Sequence, residues 1–136
     1  MKYLKLIVLA FVAIVINISC DNETKKENKE SVVAKSEKVE VYYFHYTRRC
    51  ETCNAVESVS KEAVEEYYGE KVAFADFNLD EEAGEAKGKE LDVAGQTLLI
   101  VSGSKIINIT NEGFLNAVSN PQKLKSLIKE KIDPLL

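Results

Sequence analysis

Basic clusters, a second C-x-x-C pair, phosphate-binding glycine loops and long membrane-spanning runs are all missing from this chain of 136 residues. Each absence removes a class of function. With 18 Lys and Arg against 22 Asp and Glu, no basic surface is concentrated enough to hold nucleic acid or an anionic lipid surface. With no second C-x-x-C, and with Cys20 expected to be lipidated and a tether away, Cys50, Cys53 and the single histidine leave a structural zinc ion short of its four ligands. No Rossmann or phosphate-loop glycine pattern occurs, so no flavin or nicotinamide cofactor is expected on this chain, and no metal site is assigned. The one long apolar run, Leu6 to Ile18 broken only by Asn17, is too short to span a bilayer comfortably. There is no internal repeat.

What is present begins with an export pattern. Lys2 and Lys5 precede the apolar run, which stops at Ile18-Ser19-Cys20 and gives way to Asp21-Asn22-Glu23. This is the layout of a bacterial lipoprotein signal, with residues 1–19 removed and Cys20 acylated; an uncleaved anchor is the rival reading. Both put the rest of the chain outside the cytoplasm, tethered to a membrane. Loss of Lys2 and Lys5 takes the formal charge from −4 to −6. From Cys20 to Lys38 the residues are mostly charged or amide, with Val32, Val33 and Ala34 as the one apolar patch, so they read as a flexible tether. Residues 39–136 then form one domain with one core.

Within that domain, Val39 to Tyr46 is rich in β-branched and aromatic residues, as suits a central strand covered on both faces. From Cys50 to Tyr68 the positions Cys53, Val56, Val59, Ala63, Val64 and Tyr67 recur at helical spacing, and Gly69 is a stop signal. Val72 to Phe77 reads as a second strand, and Asp80 to Leu91 as a helix weakened by Gly84 and Gly88. Thr97 to Val101 and Ile106 to Ile109 are joined by so short a link that they must form an antiparallel hairpin. Asn120 caps a last helix with Pro121 in its first turn and Leu124, Leu127, Ile128, Ile132 and Leu135 as its apolar stripe. The order β-α-β-α-β-β-α predicts an α/β fold of thioredoxin type, a four-stranded mixed sheet with helices on both faces.

Cys50 and Cys53 fall after the first strand, in the first turn of a helix. Unpaired backbone N–H groups there stabilise a thiolate on the first cysteine. Arg48 and Arg49 would lower its pKa further and Glu51 would raise it. The chemistry expected is attack by the Cys50 thiolate on a disulfide or other electrophile, followed by resolution by Cys53. A purely structural disulfide would close a tiny loop, worth only about 2 kcal/mol. Paired thiolates also favour soft ions, so a binding module for a metalloid or metal, without turnover, stays open as the alternative. A scaffold that keeps the fold as an interaction surface is a third reading.

TRRCETCNAVE, at residues 47–57, and INITNEGFLNAVSNPQKLKSLIKEKIDPLL, at residues 107–136, resemble the nitrophenyl compound nitroreductase subunit (ArsF) family of the bacterial arsenic-operon group. VAFADFNLDEE and QTLLIVSGSK look like the second and third strands of ordinary thioredoxins. The resemblance implies a thioredoxin fold and a supporting, electron-passing role beside an arsenic-handling or nitroaromatic-reducing system, with a protein dithiol or disulfide as partner. It also implies that Gly95, Gln96 and Thr97 form the loop facing the cysteine pair, where thioredoxins carry a cis-proline. Gln96 takes its place, and a cis bond there would cost about 2.5 to 4 kcal/mol, so it should be trans. Phe44, six residues before Cys50, stands where thioredoxins keep a buried aspartate that helps move the resolving proton. His45 is a candidate substitute as proton carrier or as a soft-metal ligand, although a strand histidine is more often simply hydrogen-bonded. Asp76 is a second candidate whose plainer reading is a solvated carboxylate. Tyr42, Tyr43, Phe44 and Tyr46 suggest a site for nitroaryl groups, but strand aromatics are usually core.

Overall fold

In the computed structural model the described residues are 37–136; residues 1–36, on which the expected signal segment, acylated Cys20 and most of the expected tether fall, lie outside them. Four strands and four helices follow one another as β1 (Val39–His45), α1 (Glu51–Tyr68), β2 (Val72–Asn78), α2 (Glu82–Glu90), β3 (Thr97–Ser102), β4 (Lys105–Asn108), α3 (Thr110–Asn116) and α4 (Pro121–Ile132). The sheet order is β2-β1-β3-β4, with β1 parallel to β2 and antiparallel to β3, and β3 antiparallel to β4. Among the described residues no helix is long and apolar enough to cross a membrane.

The alternation of β1 divides its side chains between two packed layers. Val39, Val41 and Tyr43 join Val56, Ala63 and Val64 of α1 and Leu124, Ile128 and Ile132 of α4 in the larger core. Tyr42 and Phe44 point the other way and pack with Leu99, Phe77 and Leu91 on the side of α2. A strand buried on both faces must lie inside the sheet, and β1 does. Helices therefore cover both faces, as the apolar pattern requires.

The structure revises the sequence reading in several places. Helix α3 was not expected, because Gly113 sits within it and no capping side chain starts it. Gly113 lets α3 close on the sheet: a Cβ there would meet Leu98 Cδ2 at 3.3 Å and Val56 Cγ1 at 3.5 Å. Tyr68, not Tyr67, closes the buried stripe of α1, and its hydroxyl donates to Asp133 Oδ1 at 2.7 Å. Tyr46 is not core; it lies beyond the end of β1 and is 36% exposed. Leu127 and Leu135 are only partly buried against the core.

Gly84 and Gly88, expected to weaken α2, instead allow it to approach β2 closely. A Cβ on Gly84 would overlap the backbone carbonyl of Asn78, and one on Gly88 would meet Leu79 Cδ2 at 3.0 Å. Ala has the higher helix propensity, yet the collision is with backbone that cannot turn aside. Gly84→Ala should therefore destabilise the domain by about 2 kcal/mol. Chemical denaturation checks this, and an unchanged or higher midpoint would contradict it.

Candidate active site

The carboxyl end of β1 delivers the chain into the cysteine pair, and the segment between them is pinned by the end of β2 and the turn that leads to α2. Leu79 N–H donates to His45 O at 2.7 Å, Thr47 N–H to Asp80 Oδ2 at 2.8 Å, and Asn78 Nδ2 to Thr47 Oγ1 at 3.0 Å. These bonds fix where α1 begins.

Cys50 is the N-cap residue of α1, with extended backbone, and its Sγ accepts the N–H of Cys53 at 3.2 Å. A sulfur in that position faces the positive end of the helix dipole and one of the N–H groups that the first turn leaves free. Cys50 is exposed, whereas Cys53 is 3% exposed, and the two form a disulfide with Cα atoms 5.1 Å apart. The pair is thus asymmetric: one sulfur can meet a partner and the other is reached only through it.

The two arginines before Cys50 separate. Arg48 is exposed. Arg49 turns back along α1, where its Nη1 pairs with the Glu57 carboxylate and its Nη2 lies against His45 Nε2. Asp76 Oδ2 is 3.9 Å from the same guanidinium and 3.3 Å from His45 Nε2. Part of the Arg49 charge is therefore spent on neighbouring carboxylates.

His45 is buried, on the Tyr43 side of β1, and its Nδ1 lies 3.0 Å from the Tyr46 carbonyl, an acceptor, which places a proton on that nitrogen. It is hydrogen-bonded, as the plainer reading held, but within a charged cluster. Asp76 is about half exposed, yet its Oδ2 lies 3.9 Å from the Arg49 guanidinium, so it is more than a solvated strand-end carboxylate. Phe44 is fully buried in the α2-side core and stacks on Phe77, with ring centroids 5.3 Å apart. Burial pushes the Tyr43 hydroxyl up to about 12, opposed by the Arg49 charge, and it has no hydrogen-bond partner among the described residues. Sequence reasoning missed Glu57 and the Tyr43 hydroxyl; Glu57 had one signal, its place four residues after Cys53.

Thr97 opens β3 directly opposite Phe44, so Gly95-Gln96-Thr97 lies at the same sheet edge as the end of β1. Thr97 Oγ1 donates to Gly95 O at 2.9 Å, and the Tyr46 hydroxyl donates to Ala94 O at 3.4 Å. Every peptide bond among the described residues is trans, that before Gln96 included. A hollow of about 190 Å3 lies beside this loop, lined by Tyr46, Leu79, Glu85, Lys89, Val93 and Ala94. A larger cleft of about 580 Å3, which Tyr42 and Lys87 help to line, contains none of the predicted site residues.

No family model matches the chain, and no curated protein matches it. Solved structures do. Thioredoxin O2 from Arabidopsis thaliana, in the oxidized state, superposes with a TM-score of 0.51 at 21% identity over 69% of this chain and 75% of that one. Oxidized mitochondrial thioredoxin 3 from Saccharomyces cerevisiae gives 0.48 at 23% identity over 69% and 79% of the two chains. A malarial protein gives 0.48 at 22% identity over 69% and 97%. The chain has the thioredoxin-like fold.

Proposed function

We propose that this protein is a thiol-disulfide oxidoreductase or electron-transfer subunit that works outside the cytoplasm from a lipid anchor. The observation that carries the reading is the exposed Cys50 sulfur at the N-cap of α1, disulfide-bonded to a cysteine that is 3% exposed. In the reduced form the Cys50 thiolate attacks one sulfur of a partner disulfide. A Cys50–partner bond forms, the partner S–S bond breaks, and the released sulfur leaves with the electron pair and takes a proton. Cys53 then attacks Cys50, which closes the intramolecular disulfide and frees the second partner sulfur as a thiolate. The two cysteines are oxidised and the partner disulfide is reduced. The reverse sequence oxidises a partner dithiol.

The exposure of Cys50 beside a buried Cys53 favours a protein partner presenting its disulfide from outside. The likeness of TRRCETCNAVE and of the carboxyl-terminal segment to the ArsF group supports service beside an arsenic-handling or nitroaromatic-reducing system. The basic start, apolar run and Cys20-Asp21 junction support the anchor and the extracytoplasmic address.

The purified domain should reduce a protein disulfide in the presence of a dithiol. Cys50→Ser should abolish this, and Cys53→Ser should trap a mixed disulfide visible by mass. Full turnover by Cys50→Ser would refute the reading. In the bacterial cell, Cys20→Ser should remove palmitate labelling and release the protein from the membrane fraction; labelling that persists would refute the anchor.

A further inference from the structure

Resolution by Cys53 requires its thiol to lose a proton, because the thiolate is the nucleophile. Cys53 is 3% exposed, so bulk water is poorly placed to take that proton. Glu57 follows four residues later in α1. Residues at that spacing share a helix face, with Cβ atoms about 5 to 6 Å apart. Helical side chains also lean toward the amino terminus, so a residue covers the turn before its own Cα. For Glu57 that is the turn holding Cys53.

Arg49 engages this carboxylate. It lies before the helix, yet its Nη1 pairs with Glu57, so the ion pair spans the first turns of α1, the stretch that carries both cysteines. The other end of the guanidinium rests on His45 Nε2, with Asp76 behind it. The His45 ring is oriented because its Nδ1–H donates to the Tyr46 carbonyl, which leaves Nε2 free to accept from Arg49. The Glu57 side chain is 23% exposed, so it has a path to water that Cys53 lacks.

Resting on the redox reading above, we propose that Glu57 is the base that accepts the Cys53 proton during resolution, and that Arg49, His45 and Asp76 are positioning residues that aim it. In this step the Cys53 proton passes to the Glu57 carboxylate. The Cys53 sulfur forms its bond to Cys50 as the Cys50–partner bond breaks, and the electron pair leaves on the partner sulfur. Glu57 then returns the proton to solvent. The titratable and charged groups around this path are Cys50 at the cap and Glu57 of α1, Arg49 of the preceding segment, Tyr43 and His45 of β1, and Asp76 of β2.

The test is a stopped-flow reaction of the fully reduced protein with an aromatic disulfide dye. The first dye thiolate reports attack by Cys50 and the second reports resolution by Cys53. Glu57→Gln should slow the second phase relative to the first by about a hundredfold below neutral pH, within the range that a positioned base contributes. Its second phase should then rise about tenfold per pH unit as hydroxide takes over. Glu57→Asp should keep the wild-type pH profile at a reduced rate, and Asp76→Asn should have a smaller effect in the same direction as Glu57→Gln. A Glu57→Gln protein whose two phases keep the wild-type ratio at every pH would overturn the proposal while leaving the redox reading intact. So would an equal slowing of both phases, which marks a structural effect. A wild-type protein that releases no first dye thiolate would overturn the redox reading and this proposal together.

Discussion

Everything in this domain that bears on chemistry follows from one placement, a sulfur at the point where a helix dipole begins. The helix supplies unpaired N–H groups whether or not a cysteine is there. What the fold adds is the fixed meeting of that helix end with the end of a strand buried on both faces. β1 cannot shift without disturbing Tyr43 and Phe44, both fully buried. Helix α1 cannot rotate without exposing Val56, Ala63 and Val64. Between them, the bonds from Leu79 and Asp80 hold the connecting residues against the turn between β2 and α2. The cysteine pair is therefore held by core packing on both sides rather than by its own bond.

The charges around the pair divide the labour between the two sulfurs. Arg48 remains exposed near Cys50, while Arg49 is drawn to Glu57, His45 and Asp76. An arginine shared with carboxylates contributes less to a neighbouring thiolate than a free one does, since the opposite charges offset it. On the proposed reading, in which reduction frees a Cys50 thiolate, the helix end is then left as its main source of stabilisation. The Arg49 cluster meets α1 at Glu57, four residues after Cys53, and on the proposed reading it serves the second sulfur.

Much of this was legible in the residues because it depends on local periodicity. The near-continuous β-branched and aromatic run from Val39 to Tyr46 announced an interior strand, and the spacing of Cys53, Val56, Val59 and Ala63 announced the helix that follows the first cysteine. The hairpin and the Asn120-Pro121 helix start were equally local signals. What escaped was tertiary. Helix α3 is seated by Leu98 and Val56 rather than by its own propensity, and Gly84 reads as a helix defect until the carbonyl of Asn78 is seen against it. Tyr46 looks like core by composition but falls past the end of the strand. Glu57 was marked by its spacing from Cys53 alone, and its pairing with Arg49, a residue before the helix, follows no local pattern.

The central claim is that the cap position makes Cys50 an anion at physiological pH. It is tested most directly by following thiolate ultraviolet absorbance against pH in the reduced Cys53→Ala protein, where Cys50 is the one thiol of the folded domain. The account predicts a midpoint clearly below the ordinary cysteine value of about 8.5. A midpoint at or above that value would contradict it, because the helix end would then be doing nothing for the sulfur it faces.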